Sequence, residues 1–494
     1  MELDERAAHP RGGRVVGQTR RRPSNGAIAG TLLAIGLFCF IVAFQRGGVG
    51  SYDGNIMFAV ARNIVRHGSL KTSGDPYGFD PFDFNTPYSV YGIGTSLLIL
   101  PATALELALG TRPYSFVLLM NPMVLAATGV VVQRIGVARG WSLRLATGAA
   151  IACVLCTPLL WAGTDLFSEP SVTLCCAVLL LAAIRWRDGK GWAPFAFGTA
   201  IAVAIQFRSD SILLIGLAVV TLPLFVPWRV LIRDRRALAL LLAPIVVSLI
   251  LLTAYDMIRF NSPFPTQSAG AFTTPLDLGL RGLLVSTSKG LFVLSPFLLI
   301  GLVGFVPLFR RDRAVAALVT LLCLVRLFFY ARWSAWEGGV GWGPRFLAPT
   351  YVLLIVPTVE ALRRDAQWRR VAVYRVLAAV FVPASFLVSI VSVAVPHELW
   401  WNTFVNGAPR AEVGRRIHDY FFSIRGSHLA GNLRLIERGD AVAAPFWWRE
   451  GPRSAVIALL LVGTGSLVAA IWVAWHADDR NGLDEPRGST LPSR

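Results

Sequence analysis

Three acidic residues lie beside apolar segments, where a carboxylate needs a partner or a function. Asp53 follows the first apolar run, and Asp165 and Glu169 lie four residues apart between two later runs. Asp53 has two open interpretations: the cap of a helix, or a general base that takes a proton from a hydroxyl group, an effect of about 10²–10⁴ in rate. Asp165 and Glu169 could orient an acceptor or bind a divalent cation through oxygen ligands. The alternative interpretation is that this segment simply begins a helix, with Asp165 or Ser168 as its cap and Pro170 in its first turn.

Three cations lie in tight local settings further along the chain. Arg208 ends an apolar run two residues before Asp210, Lys289 precedes another run, and Arg345 closes the glycine- and tryptophan-rich segment 333–345. A guanidinium such as that of Arg345 can hold a phosphate through two parallel hydrogen bonds, and glycines let the backbone approach a ligand closely. For Arg208 with Asp210 the alternative is a local ion pair, and for the tryptophans it is an interfacial aromatic belt.

The composition excludes a soluble enzyme. Hydrophobic residues make up 54% of the 494 residues and charged residues only 15%, against about 25% charged in soluble domains. The net charge of +18 at first indicates an anionic partner, but most of the excess lies in short loops between apolar runs, so nucleic acid is not indicated. All six cysteines lie in apolar runs, which favours buried hydrophobes over disulfides or a zinc site.

Apolar runs of roughly the 20 residues that span a bilayer recur along the chain and predict an all-α polytopic membrane protein, a helical bundle of about twelve spans. These runs are residues 26–45, 114–133, 146–162, 171–186, 192–207, 211–228, 237–257, 291–309, 314–331, 346–362, 371–395 and 453–475.

Charge decides the orientation, because cytoplasmic loops concentrate Lys and Arg. A thirteenth span at 90–110, a segment that contains Pro101 and Glu106, would place every arginine-rich loop outside. We therefore expect 90–110 to be an interfacial or re-entrant segment, both termini to be cytoplasmic, and the chain to be a multi-pass protein of the cell membrane. The outer loops are then 46–113, 163–170, 208–210, 258–290, 332–345 and 396–452.

The predicted organisation has a transmembrane core with polar additions. Helical spacing predicts an amphipathic helix over 55–67 in the first outer loop. The predicted units are a disordered basic tail at 1–25, the core at 26–395 with its first outer loop 46–113, an extracytoplasmic cap at 396–452, a last transmembrane helix at 453–475 and a cytoplasmic tail at 476–494.

The order of these motifs resembles the GT-C superfamily of polytopic glycosyltransferases, especially bacterial members of the protein-mannosyltransferase-like and arabinosyltransferase-like group that use polyprenyl-phosphate sugars. The resemblance covers most of the chain and is carried by residues 51–54, 167–170, 259–263, 289–296 and 341–347. It implies inverting transfer of a hexose or pentose from a polyprenyl-phosphate donor to a hydroxyl of an envelope glycan, lipid or protein. The reaction would take place on the extracytoplasmic face.

The resemblance also implies roles for individual residues. It makes Asp53 the catalytic base and Arg345 a donor-phosphate contact, with Lys289 and Arg208 as further phosphate-binding candidates. Membrane lipid, the lipid-linked donor and the acceptor are the expected partners.

Asp165 and Glu169 resemble second-loop acids that hold a metal in some members of the superfamily. Their spacing is D-x-x-x-E rather than D-x-D, so a divalent cation is a possible cofactor that the resemblance does not require. Secondary site candidates are Glu337, Tyr52 and His397.

Two other classes of protein remain as alternatives. A transporter or flippase of lipid-linked sugars would also need many spans and outer polar groups, and Arg326, inside a span, favours it. Transporters concentrate ionisable residues near mid-membrane, whereas the polar groups here lie at span ends. An envelope scaffold is the third class, and it would leave Asp53, Asp165, Glu169 and Arg345 scattered in space.

Overall fold

The computed structural model describes residues 24–45, 47–73, 87–263, 271–363, 371–439 and 453–483, and within these ranges the chain is helical, which confirms the predicted fold class. Most of the predicted N-terminal tail, the end of the C-terminal tail and residues 440–452 of the predicted cap lie outside the described residues.

The α-helices are α1 Asn25–Ala43, α2 Tyr52–His67, α3 Gly94–Leu109, α4 Met120–Ala138, α5 Leu143–Leu155, α6 Leu159–Ala162, α7 Glu169–Arg187, α8 Ala193–Phe207, α9 Leu213–Thr221, α10 Trp228–Arg233, α11 Arg235–Phe260, α12 Leu276–Val285, α13 Leu291–Leu294, α14 Leu299–Arg311, α15 Arg313–Arg332, α16 Ala348–Leu362, α17 Val371–Ala394, α18 His397–Trp401, α19 Val413–Phe422, α20 His428–Glu437 and α21 Arg453–Leu483. Short 3₁₀ or π segments adjoin them at Val117–Leu119, Ser209–Ile212, Leu222–Leu224, Pro296–Leu298, Arg345–Leu347, Asn402–Asn406 and Arg410–Glu412.

Eight helical segments in the described part of the chain are long and apolar enough to cross a membrane: Asn25–Ala43, Val117–Ala138, Glu169–Arg187, Arg235–Phe260, Arg313–Arg332, Arg345–Leu362, Val371–Ala394 and Arg453–Asp478. Large apolar side chains on these helices are exposed, among them Leu251, Val376, Leu461 and Trp472. Apolar surface of this extent is typical of a protein that faces lipid.

The other four predicted spans are helical but shorter or interrupted: 146–162, 192–207, 211–228 and 291–309. Pro158 separates α5 from α6, and Pro296 begins a 3₁₀ turn between α13 and α14. Proline lacks the N–H that an α-helix needs and clashes with the preceding turn. The 15 residues of α8 extend only about 22 Å, less than the roughly 30 Å hydrocarbon core.

The first loop contains two helices that pack against each other. The predicted helix over 55–67 is present as α2, and segment 90–110 contains α3, which has 16 residues. The Ser96 hydroxyl of α3 donates to the carbonyl of Met57 in α2 (2.8 Å). Helical spacing places Arg62 on the same side of α2 as Asn55 and Arg66, the polar side of the predicted amphipathic helix, and yet Arg62 is buried. The chain therefore covers part of the face that the spacing predicted to be polar.

The arginine-rich loops meet at one end of the bundle. Helix α7 runs from Glu169 to Arg187, about 27 Å, so these residues mark opposite ends. Asp312 forms an ion pair with Arg187 and another with Arg139, both at 2.9 Å. Arg139 also forms an ion pair with Glu360 at 3.0 Å. We call this the basic end, and the opposite one the site end.

The described part of the predicted cap contacts the loop that precedes α13. The Ser288 hydroxyl donates to the carbonyl of Tyr420 (2.5 Å) and accepts from the backbone N–H of His428 (2.8 Å). Helices α19 and α20 are thereby fixed to the residues next to Lys289.

Candidate functional site

Asp53 lies in the first turn of α2, at the site end. Ser51 is the N-cap of this helix, and its hydroxyl accepts from the N–H of Gly54 (3.1 Å), so Asp53 is not the cap. One Asp53 carboxylate oxygen accepts from the Tyr91 hydroxyl (2.8 Å) and the other from Arg345 (2.9 Å). Burial alone would raise the pKa of Asp53, but Arg345 and the Tyr91 hydrogen bond outweigh it and hold the pKa below its usual value.

Tyr91 is a member of the site that sequence reasoning missed. Arg259, at the end of α11, donates to the carbonyls of Ser89 (2.6 Å) and Tyr91 (2.9 Å) and so holds the loop before α3. Gly92 allows this loop to approach the end of α8, because a Cβ there would lie 2.3 Å from the carbonyl oxygen of Gln206. The Arg259 motif was noted in the sequence, but nothing there linked it to Tyr91.

Arg208 joins three other side chains at the end of α8. Its guanidinium donates to Asp210 (3.0 Å), to Glu169 (3.2 Å) and to the Tyr330 hydroxyl (3.1 Å), which in turn donates to Asp210 (2.6 Å). The predicted local pair with Asp210 is therefore one part of a wider cluster. Arg326 lies 3.9 Å from Asp210, so this residue, too, belongs to the site end.

Arg345 connects Asp53 to the Arg208 cluster. Its Nε lies 3.8 Å from Glu169, and its guanidinium carbon lies 5.0–5.3 Å from the ring centres of Phe346 and Phe167. Gly338 has a left-handed φ of 68°, and a Cβ there would lie 2.9 Å from Cγ of Arg345. The glycine-rich loop therefore folds directly against the arginine that it precedes.

These side chains form an alternating sequence of charges that we call the charged row: Asp53, Arg345, Glu169, Arg208 and Asp210. Adjacent members lie within 4 Å of one another. The two arginines have side chains 15% and 19% exposed, and that of Asp53 is 18% exposed, so a ligand can reach all three. Two guanidiniums beside a carboxylate that is held ionised can bind a phosphate and accept a proton from a hydroxyl.

Lys289 is close to this site, and in the ligand-free protein its ammonium contacts the glycine-rich loop. The side chain is fully buried, and Nζ donates to the carbonyls of Gly339 (2.7 Å) and Gly341. Burial lowers the pKa of Lys289 to about 7. Lys289 thus fastens the glycine-rich loop that ends at Arg345.

The remaining predicted residues have varied positions. Asp165 is buried, and its carboxylate accepts from the backbone N–H of Leu166 (2.7 Å). Tyr52 is 60% exposed, although it adjoins Asp53. Glu337 is half-buried and close enough to Lys289 to act on its charge. His397 begins α18, and its side chain is outside the described residues.

The surroundings of Glu169 do not fit a metal ion. Two arginines lie within 4 Å of its carboxylate and already supply the positive charge that a cation would bring. The described residues contain no group of three or more His, Cys, Asp or Glu side chains that could hold a metal.

Comparison with known proteins gives structural relatives only. No family model and no curated protein matches the chain. Several solved structures are similar to it over most of its length. They include ArnT from Cupriavidus metallidurans bound to undecaprenyl phosphate, with 15% identity and a TM-score of 0.46 over 92% of this chain and 78% of that one. They also include the oligosaccharyltransferase AglB from Archaeoglobus fulgidus in complex with an inhibitory peptide and a dolichol-phosphate, with 12% identity and a TM-score of 0.46 over 81% and 60%.

Proposed function

We propose that this protein is a glycosyltransferase of the cell membrane. It moves a hexose or pentose, with inversion, from a polyprenyl-phosphate donor to a hydroxyl of an envelope glycan, lipid or protein. The reaction takes place on the extracytoplasmic face, and both termini are cytoplasmic. The observation that carries this proposal is the charged row, in which the Asp53 carboxylate meets the Arg345 guanidinium at 2.9 Å in a chain otherwise built for lipid.

Each part of such a substrate has a matching feature. A polyprenyl tail needs an apolar environment, which the exposed apolar side chains of the spans indicate. Its phosphate needs cations, and Arg345 and Arg208 supply two guanidiniums held on either side of Glu169. The acceptor hydroxyl needs a base near the anomeric carbon, and Asp53 lies next to Arg345.

The proposed reaction proceeds in one displacement. The acceptor oxygen attacks the anomeric carbon while its proton passes to Asp53, and the bond from that carbon to the phosphate oxygen breaks. The leaving polyprenyl phosphate keeps the electron pair of this bond. Arg345 and Arg208 stabilise the negative charge that develops on it.

Donor binding also prepares the base. In the ligand-free site Arg345 holds one Asp53 oxygen. A donor phosphate that draws the guanidinium toward itself would free this oxygen for the acceptor hydroxyl. A nearby positive charge favours the ionised form of a carboxylate and so lowers its basicity. The departure of the guanidinium would therefore raise the basicity of Asp53. No step requires a metal ion, so we expect transfer to continue when divalent cations are removed by a chelator.

The proposed function predicts a defined change in the envelope. Cells without the gene should lack one sugar on an envelope glycan, lipid or protein and should accumulate the corresponding polyprenyl-phosphate sugar. Glycan and lipid analysis of cells with and without the gene checks this expectation. Identical profiles under conditions in which the protein is made would contradict it.

A further inference from the structure

A cavity at the basic end lies apart from the charged row. It has a volume of about 610 Å³, a size typical of ligand sites, and it is an open cavity lined by α5, α14, α16 and α17. Most of its lining is apolar and includes Ala149, Ala152, Ile300, Ile355 and Val382. The proposed sugar transfer does not use this space.

Three arginines line the same cavity, and all lie at its basic-end side. Arg144 is the second residue of α5, Arg363 follows the last residue of α16, and Arg375 lies in the first two turns of α17. Apolar lining residues continue along two of these helices, to Ala152 on α5 and to Val382 on α17. At 1.5 Å per residue, they lie about 10–12 Å farther from the basic end. The cavity is therefore cationic at one end and apolar beyond it.

Two of these arginines differ from their neighbours at the basic end. The Arg144 guanidinium lies 4.1 Å from the ring centre of Trp475, and Arg375 donates to the carbonyl of Leu362 (3.1 Å and 3.3 Å). Among the described residues, no carboxylate forms an ion pair with either guanidinium, whereas Arg139 has two such partners. The Asp478 carboxylate accepts from the backbone N–H groups of Leu143 (2.9 Å) and Arg144 (3.0 Å), but it forms no ion pair with the Arg144 guanidinium. Both guanidiniums therefore keep N–H donors for an anion.

One wall of the cavity is a helix that faces lipid. Val376 and Val380 on α17 are exposed apolar residues, close in sequence to the lining residues Arg375, Ala378 and Val382. An occupant that enters from the bilayer would thus bring an acyl chain to the apolar part and a charged headgroup to the arginines. A free phosphate would fill only the cationic end.

We propose that this cavity binds an anionic phospholipid of the membrane leaflet at the basic end. The lipid phosphate accepts from Arg144 and Arg375, with Arg363 nearby, and an acyl chain extends between α5 and α17. Basic pockets between membrane helices are suited to such headgroups. The bound lipid would join α5 to α17 at the end of the bundle opposite the charged row.

Native mass spectrometry of the full-length protein in detergent tests this proposal. With added dioleoylphosphatidylglycerol we expect one lipid to be retained per protein, and with dioleoylphosphatidylcholine no such retention. The double variant Arg144→Gln/Arg375→Gln lacks two charge-assisted contacts, so its retention of phosphatidylglycerol should fall by about tenfold or more. Arg233→Gln/Arg236→Gln removes two exposed arginines outside the cavity and should bind as the wild type does.

A second variant blocks the apolar part and leaves the arginines in place. Gly148 lines the cavity, and a Cβ there would meet no atom within 4 Å, so a larger side chain can begin at this position and Gly148→Leu takes up cavity space. Gly216→Leu, at a similarly open position on α9, is its control. We expect Gly148→Leu to lose the retained lipid and Gly216→Leu to keep it.

Three results would overturn the proposal. The first is equal retention of phosphatidylglycerol by the wild type and by Gly148→Leu. The second is equal retention of phosphatidylcholine and phosphatidylglycerol by the wild type. The third is displacement of the lipid by millimolar glycerol 3-phosphate, which would identify a site for soluble anions.

Discussion

Both oxygens of the Asp53 carboxylate are engaged, one by the Tyr91 hydroxyl and one by the Arg345 guanidinium. Each contact stabilises the ionised form, which is the form that can accept a proton. A carboxylate stabilised this strongly is also a weak base until one contact is released. The proposed exchange of Arg345 from Asp53 to a donor phosphate supplies that release at the moment when the substrate is bound.

The Tyr91 contact gives a pH prediction. In the ligand-free protein the pKa of Asp53 is held below its ordinary value, about 3.9. Because kcat/KM reports the free enzyme, kcat/KM should persist as the pH falls to about 4. Tyr91→Phe removes one hydrogen bond to the carboxylate, so the pKa of Asp53 should rise and the acid limb of kcat/KM should move to higher pH. The pH–rate profiles of the two proteins check this. An unchanged or lower acid limb in the variant would show that Tyr91 does not act through Asp53.

Arg345 can be tested by the removal of its charge. Arg345→Gln should lower kcat/KM by about 10²–10³, because a donor aimed at the developing charge is lost. Arg345→Lys should be intermediate, since an ammonium keeps the charge but loses the planar pair of donors. The control is Arg281→Gln, which alters an exposed ion pair with Asp277. Transfer rates equal to the wild type in both Arg345 variants would remove this residue from the mechanism.

At the scale of elements, the glycine-rich loop before α16 depends on a distant lysine. Lys289 Nζ donates to Gly339 and Gly341, about 50 residues later in the chain. This contact fixes the loop on which Arg345 lies, and so it connects the start of α13 to the site.

Loss of the lysine contact should therefore affect both stability and transfer. Lys289→Met leaves two carbonyls of the loop without their donor and should lower the free energy of unfolding by about 1–3 kcal/mol. Thermal unfolding in detergent measures the stability, and the transfer assay measures the effect on Arg345. Lys190→Met, at an exposed position, is the control. A Lys289→Met protein as stable and active as this control would refute the proposed role.

The helices could be predicted from the sequence, whereas the contacts between them could not. Hydropathy is a local signal, so each predicted apolar run coincides with helical structure. The pairs that build the site join distant residues: 38 positions separate Asp53 from Tyr91, and 292 separate it from Arg345. Residue types identified Asp53, Glu169, Arg208 and Arg345 as candidates, because charges beside apolar runs are costly without partners.

The arginine-rich loops at the basic end show the same limit. Composition predicts a topological role for their arginines, but Arg139 also forms ion pairs with Asp312 and Glu360. The carboxylates that complete these pairs lie in other loops and helices, 173 and 221 residues further along the chain. Local composition predicts the sign of the charge on such a loop, but it does not identify the carboxylates with which its arginines form ion pairs.

For the molecule as a whole, the two ends of the bundle make a prediction about orientation. If the basic end is cytoplasmic, a cysteine introduced by Arg281→Cys on α12 should react with a membrane-impermeant thiol reagent in intact cells. One introduced by Lys190→Cys should react only after the cells are opened. The six native cysteines are buried or half-buried, and the unaltered protein gives the background. The reverse labelling pattern would invert the proposed topology.

The proposal that this membrane protein transfers sugar with Asp53 as its base is tested most directly in detergent, where transport has no meaning. Purified protein is incubated with labelled polyprenyl-phosphate sugars and an envelope extract from the source cells, and transfer to the extract is measured for the wild type, Asp53→Asn and the exposed-site control Asp277→Asn. We predict transfer by the wild type and the control, and a loss of about 10²–10⁴ in rate for Asp53→Asn. Transfer by a folded Asp53→Asn protein at the wild-type rate, or none by the wild type, would contradict it.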